Sequence, residues 1–228
     1  MTSFRLWNRV HYRREGLQVS TRGLLDRGRP ELVAPVSSPE LLPDAEHFLR
    51  YVVRYLDEAR TRISGGQTLS YGYWLVKFQP VIESAESAES APESALEVWE
   101  YNAAGTEFVR GASLALRYWR EQQTTCEKHR AVFDPPNPER LTVVSEGVME
   151  GDVLEGVRYP SPGHMSGWWL LAPKYNGDVK ALRTIHTYHL TSKRPDLARF
   201  LALPNGFRFD SGGGTVWFDP AVAGQPPI

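Results

Sequence analysis

The chain has 228 residues, of which 26 are Lys or Arg, 27 are Asp or Glu and 41% are hydrophobic, and its formal net charge is −1. This length suits one large or two small domains, and a near-neutral charge gives no support for a nucleic-acid or membrane partner. The single cysteine, Cys126, excludes an intrachain disulfide, and the absence of a long apolar run leads us to expect a cytoplasmic protein.

Basic residues dominate the start of the chain. Seven arginines but only two acidic residues lie within residues 1–29, and apolar residues at 4–7, 10–12 and 17–20 predict short strands. The arginines either form a basic rim or are solvated loop side chains. Because no known motif with interleaved stacking aromatics accompanies them, direct nucleic-acid binding is not expected, and a nucleic-acid-binding adaptor remains an alternative function.

A helix is predicted after a proline-rich segment. Four prolines from Pro30 to Pro43 predict a connector without regular structure, and Asp44 is expected to cap the helix that follows. Apolar residues at helical spacing give this helix one buried face, and Gly65-Gly66 ends it. The buried face consists of Phe48, Leu49, Val52, Val53 and Leu56.

Three strands and an acidic segment are predicted next. Aromatic and β-branched residues predict strands at 68–78, 96–101 and 106–109. Residues 83–95 repeat the tripeptide Glu-Ser-Ala and lack large apolar side chains, so we expect them to form a flexible acidic loop. This loop either attracts a basic partner surface or is an inert insertion.

A second helix and a proline-rich break complete the N-terminal half. Gly111 precedes a helical pattern whose apolar face includes Ala115, Leu116 and Cys126, so Cys126 is expected to be a small core residue. Three prolines within residues 134–138 then predict a domain boundary. We therefore predict an N-terminal domain at residues 1–134 and a C-terminal domain at residues 139–228.

Short strands separated by turns are predicted for the C-terminal half. The predicted strands lie at 141–145, 153–159, 168–171, 184–190, 207–209 and 216–218, and the segment from Pro195 to Leu203 is predicted to be helical. Trp168 and Trp169 are neighbours in a predicted strand and therefore point to opposite faces. The predicted fold is α+β in two halves, each a mostly antiparallel sheet with flanking helices.

Several short motifs follow one another in the last third of the chain. They are Val144-Ser145, Gly156 to Tyr159, Ser166-Gly167-Trp168, Pro195-Asp196 and Leu203 to Gly206. In this order they resemble a family of small bacterial immunity-protein domains found in polymorphic-toxin and type VI secretion loci. Met165 stands where that family usually has an acidic residue. The resemblance implies a protein that binds and neutralises a cognate toxin, and it implies that Trp168 lies in the core, so that Trp169 is the exposed neighbour. For a cytoplasmic protein the toxin is expected to act in the cytoplasm as a nuclease, a nucleotide-consuming enzyme or a protein modifier, with a nuclease favoured.

No catalytic constellation is found in the sequence. His164, His186 and His189 could ligate a metal, but His186 and His189 lie three residues apart in a predicted strand and would point to opposite faces. Cys126 has no evident histidine partner that would activate it. We therefore expect neither an enzyme nor a bound cofactor or metal, and a metal-dependent enzyme that uses the three histidines remains an alternative.

The expected partner is the cognate toxin. A surface that binds another protein tightly needs aromatic or arginine anchors at its centre and a charged rim. The residues predicted to bind the partner are Trp169, Tyr175, Asp178 and Tyr188, with Glu86, Glu89 and Glu93 of the acidic loop as rim charges.

Overall fold

The structure, a computed structural model, describes residues 3–6, 10–81 and 94–225. It contains two β-sheets with several helices and is an α+β protein in two halves, as the sequence predicts. Contacts divide the chain into two compact units. The first unit comprises Met1–Tyr71, Leu75–Asn102 and Thr106–Arg117, and the second comprises Gly72–Trp74, Ala103–Gly105 and Tyr118–Ile228. The domain boundary predicted at 134–138 lies inside the second unit and remains a prediction.

The N-terminal sheet is mostly antiparallel. Its strands are β1 (Ser3–Leu6), β2 (Val10–Glu15), β3 (Gln18–Arg22), β4 (Glu31–Pro35), β5 (Thr68–Tyr71), β6 (Trp74–Pro80), β7 (Ala95–Tyr101) and β8 (Phe108–Arg110). The order is β1-β2-β3-β4-β7-β6-β5, with β8 also paired to β7. The β4–β7 pair is parallel, whereas β2 with β3 and β6 with β7 pair antiparallel.

Helix α1 (Leu42–Glu58) packs the predicted apolar face into the core, since Phe48, Leu49 and Val52 are fully buried. The helix begins two residues before Asp44, so the prediction that Asp44 caps it is wrong. Pro43 fits inside the first turn, where a helix needs no backbone N–H.

Two other predictions for this half are wrong. The connector predicted at 30–43 contains strand β4, which lies between β3 and β7 in the sheet and whose Leu32 and Ala34 are fully buried. The single strand predicted at 68–78 is two strands, β5 and β6. Gly72, with a φ of +58°, allows the tight turn between them that an L-residue adopts only at a cost.

Helix α2 (Ser113–Lys128) is capped by a carboxylate from the sheet. Glu100 of β7 is buried and accepts hydrogen bonds from the backbone N–H groups of Leu114 (2.9 Å) and Ala115 (2.6 Å). These N–H groups have no partner within the helix, and a negative charge at a helix N-terminus is favourable. Burial nevertheless raises the pKa of Glu100 above its ordinary value.

The second unit contains a six-stranded sheet. Its strands are β9 (Leu141–Val144), β10 (Glu155–Arg158), β11 (Met165–Leu171), β12 (Arg183–His186), β13 (Phe207–Asp210) and β14 (Thr215–Phe218). The order is β12-β9-β11-β10-β13-β14, and only β9 and β11 pair in parallel within the described residues. Helices α3 (Thr187–Lys193) and α4 (Pro220–Ala223) and a 3₁₀ helix at Pro195–Phe200 accompany the sheet.

The strand predicted at 184–190 is wrong in its second half. Strand β12 ends at His186, and α3 begins at Thr187. The Thr187 hydroxyl lies 2.9 Å from that of Thr142, and Leu190 is fully buried. In so short a segment the positions of Thr187 and Leu190 suit a helix as well as a strand, so the pattern alone could not decide.

A buried arginine connects three segments of the second unit. Arg158, 3% exposed, donates hydrogen bonds to the backbone carbonyls of Asp134, Ser166 and Leu203, and its guanidinium lies 3.3 Å from the Asp134 carboxylate. Burial lowers the pKa of Arg158 to about 10, so the side chain remains charged at neutral pH. The buried charge is compensated because these oxygens replace the water that solvates an exposed guanidinium.

Gly167 tests whether the backbone of β11 approaches Tyr159 as closely as the structure shows. Its φ is +82°, the register between β9 and β11 shifts nearby, and a Cβ at this position would lie 2.5 Å from the Tyr159 carbonyl oxygen. Gly177 has a φ of +92° but open space around it. Gly177→Ala should therefore cost about 1–2 kcal/mol of unfolding free energy from backbone strain, and Gly167→Ala should cost about 1–3 kcal/mol more from the clash. Urea unfolding measures the loss of unfolding free energy in both variants. Equal losses would contradict the clash predicted for a side chain at Gly167.

Candidate partner-binding face

The two faces of the C-terminal sheet have different environments. On one face Trp168, Leu170 and Phe209 are fully buried. The covering layer contacts them directly, since the Trp168 indole N–H donates to the Leu201 carbonyl (3.0 Å) and Phe209 stacks on Phe200 with ring centroids 4.2 Å apart. Because successive strand residues point to opposite sides, the neighbours of these residues lie on the other face.

Side chains on the other face are more exposed. Strand register aligns Trp169 with Val157, Val157 with Arg208, and Arg208 with Trp217, so these four side chains form one row across β11, β10, β13 and β14. Trp169 and Arg208 are half-buried and Trp217 is 39% exposed. Tyr159 and Glu155 flank Val157 on the same side of β10 and are half-buried. We call the surface formed by Glu155, Tyr159, Trp169, Arg208 and Trp217 the open face.

Aromatic contacts hold one end of the open face. The rings of Trp169 and Tyr159 meet edge to face, with centroids 5.8 Å apart and planes at 75°. Val157 lies in the row between the larger side chains of Trp169 and Arg208 and is only 1% exposed. The ring positions are therefore set by packing, which lowers the entropy that these side chains lose when a partner binds.

Charged groups hold the other end. The Arg208 guanidinium donates to Glu155 (2.8 Å) and to Asp219 (2.8 Å), and it lies 6.0 Å from the centroid of the Trp217 ring. The hydrogen bond from Arg208 lowers the pKa of the Asp219 carboxyl. Arg208 is thus fixed in position with its charge neutralised, and its planar group is presented beside an exposed tryptophan.

This arrangement has the composition of a protein-binding surface. Trp, Tyr and Arg are the residue types most enriched among those that dominate binding energy, and they cluster near the centre of interfaces. Strands lie about 4.8 Å apart, so Trp169 and Trp217, three strands apart, are separated by about 14 Å.

The structure places one of the predicted partner residues on the open face. Trp169 lies there, as the alternation from Trp168 predicts. Tyr175 and Asp178 lie in the loop after β11, where the Asp178 carboxylate accepts from the Lys180 backbone N–H (3.0 Å). Tyr188 lies in α3, with its ring stacked on His186 and near His189. Glu86, Glu89 and Glu93 lie outside the described residues, so their role remains a prediction.

Four open-face residues were missed by the sequence analysis: Glu155, Tyr159, Arg208 and Trp217. The period-two pattern does put Glu155, Val157 and Tyr159 on one face of a strand, which was the available signal. Strand order and register decide which face lies towards solvent. They also decide that β13 and β14 continue the row. Strand order and register could not be predicted from the sequence of each strand taken separately.

The structure places two of the three histidines at one pocket. His164 and His186 line an open pocket of about 500 Å³, and the rings of His186 and His189 are 6.1 Å apart. Among the residues that the structure describes, no group of three or more histidine, cysteine or carboxylate side chains is placed to hold a metal ion. Burial raises the pKa of the Cys126 thiol to about 11, so this cysteine is not an activated nucleophile at neutral pH.

Several N-terminal arginines are neutralised by carboxylates of their own unit. Arg14 pairs with Glu46 (2.7 Å), Arg29 with Asp57 (2.5 Å) and Arg13 with Glu15 (3.1 Å). A nucleic-acid site needs basic groups that are free to replace counterions on phosphates. These pairs therefore weaken the adaptor alternative.

Comparison with known proteins gives one finding for this part of the chain. Residues 121–219 match the model of the Imm33-like domain, which supports an immunity-protein-like family for the C-terminal part. The match includes the whole six-stranded sheet and every residue of the open face. No curated protein and no solved structure matched the chain. Within the described residues, none of the helices is both long and apolar enough to cross a membrane.

The difference between the two faces predicts different mutational costs. Trp168→Ala should lower the unfolding free energy by about 3–5 kcal/mol because it empties a core site. Trp217→Ala should change it by less than about 0.5 kcal/mol because the ring lies on the surface. Chemical denaturation of both variants measures the contrast. A large loss of unfolding free energy in Trp217→Ala would mean that the ring stabilises the fold, and this would contradict its assignment to the surface.

Proposed function

We propose that this chain is an immunity protein that binds a cognate toxin through the open face of its second unit and thereby neutralises it. The main support is that a solvent-facing row with two tryptophans and an arginine lies wholly within the residues that match the Imm33-like domain. The absence of a metal cluster from the described residues leaves the metal-dependent enzyme without a supporting observation.

The open face suits inhibition by occlusion. Its anchors lie on strands of a sheet whose opposite side is packed on a core, so the face is rigid before the partner arrives. A rigid surface loses less entropy on binding than a loop does, and more of the contact energy is kept as affinity. Binding across the mouth of an active site would exclude the substrate without any chemistry by the immunity protein.

The nature of the toxin belongs to the same proposal. We expect an antibacterial effector delivered by type VI secretion or a similar route, acting in the cytoplasm, with a nuclease favoured. This expectation is supported by the motif resemblance and by the acidic repeat at 83–95, whose charge would attract the basic substrate cleft of a nuclease. Such charge would raise the association rate more than the affinity.

The test is to co-express this chain with the candidate toxin encoded beside its gene. Wild type should form a stable complex on size exclusion and restore growth to cells that express the toxin. Trp169→Ala and Trp217→Ala should each weaken binding by about 2 kcal/mol or more, about 30-fold in Kd, because they remove anchors. Calorimetric titration with an inactive toxin variant gives the Kd.

The matched control is Tyr55→Ala, an exposed aromatic residue (43%) on α1 in the first unit, which should leave the Kd unchanged. Tyr175→Ala and Tyr188→Ala examine the other predicted partner residues in the same titration. If an active toxin forms no complex with wild type, the immunity function is wrong. If the complex forms with wild-type affinity in both tryptophan variants, the toxin binds elsewhere.

A further inference from the structure

Strand β12 forms an edge of the C-terminal sheet and is open to solvent. It pairs with β9, and no other strand in the described part of the chain lies against it. Arg183, Thr184 and His186 are exposed. An edge strand of this kind presents unpaired backbone N–H and C=O groups on which another strand can add.

The geometry identifies which backbone groups are available. The backbone N–H of Thr187 donates to the Arg140 carbonyl (2.9 Å), and Ile185 stands opposite Thr142. In an antiparallel pair, alternate residues bond to the partner strand and the residues between them point away. The N–H and C=O groups of Thr184 and His186 therefore point away from β9.

Basic side chains surround this edge. Lys180 and Arg183 are exposed in and just before β12, and Arg140 is exposed beside Leu141, which stands opposite His186. Within the described residues none of these three forms a salt bridge. The nearby carboxylates are Glu139, which lines the same pocket as Arg140, and Asp178, which caps the 3₁₀ helix at Val179–Ala181.

The opposite edge of the sheet differs in charge. Beside β14, Arg208 is already neutralised by Glu155 and Asp219. The excess of unpaired positive charge is therefore a property of the β12 edge. A second copy of this chain would bring like charges against one another there, which disfavours self-pairing, whereas carboxylates on an incoming strand would be attracted.

We infer that the β12 edge binds an extended acidic segment of the cognate toxin, which adds to the sheet as a further strand. This inference rests on the proposed function and names the chemistry of the partner. The backbone of the segment bonds to Thr184 and His186, and its carboxylates pair with Lys180 and Arg183. The pocket of about 500 Å³ at the end of β12 is lined by Arg140, His164 and His186 together with Glu139, and it has room for a polar side chain of the segment.

The test combines charge reversal with amide exchange in the full-length protein and the same inactive toxin variant. Lys180→Glu with Arg183→Glu should slow association at least about tenfold in low salt, and most of this difference should vanish in high salt. The matched control is Arg54→Glu with Arg60→Glu, which makes the same charge change at exposed positions of the first unit and should change the rate by less than about twofold.

Hydrogen exchange of the wild-type complex reports on strand addition. The amides of Thr184 and His186 should become protected when the toxin binds. A toxin that binds with unchanged rate in the reversed variant, or that leaves both amides unprotected, overturns the inference while the immunity function stands. A wild-type protein that binds no active toxin overturns the proposed function itself, so the two failures are distinguishable.

Discussion

The buried guanidinium of Arg158 is the constraint on which the second unit depends. A charge that is removed from water destabilises the fold unless its hydrogen-bonding groups find partners, and the backbone carbonyls of Asp134, Ser166 and Leu203 supply them. These carbonyls belong to segments that are distant in sequence. Satisfying one side chain therefore fixes the proline-rich segment and the loop before β13 against the sheet.

The direction of Arg158 also determines what the sheet presents to solvent. Arg158 and Trp168 stand opposite one another and both point into the core. The preceding residue of β10 and the following residue of β11, Val157 and Trp169, must then point outwards. The aromatic and charged surface around them follows from the burial of its neighbours. Within the described residues the same sheet ends in an edge strand whose outer backbone groups and basic side chains are unpaired, so the sheet carries aromatic side chains on one face and charge at one edge.

The direction of Trp169 could be predicted because adjacent strand residues point to opposite faces and the motif resemblance placed Trp168 in the core. Tyr188 could not be treated in this way. The alternation from Thr184 to Leu190 spans the end of a strand and the start of a helix, and the hydrogen bonds of Thr187 decided where the change occurs. Arg208 and Trp217 join the row only through register across β10, β13 and β14.

The α+β class, most of the strands, the buried face of α1 and the hairpin of β13 and β14 were predictable from the residues alone, because these features depend on local periodicity and on turn residues. The sequence also contained the ordered motifs that pointed to an immunity protein. Tertiary structure decided the strand order, the open face, the free edge at β12 and the pairing of the N-terminal arginines with carboxylates. These features arise from contacts between residues far apart in the chain, and local patterns hold no information about which distant partner satisfies a buried charge or covers a face.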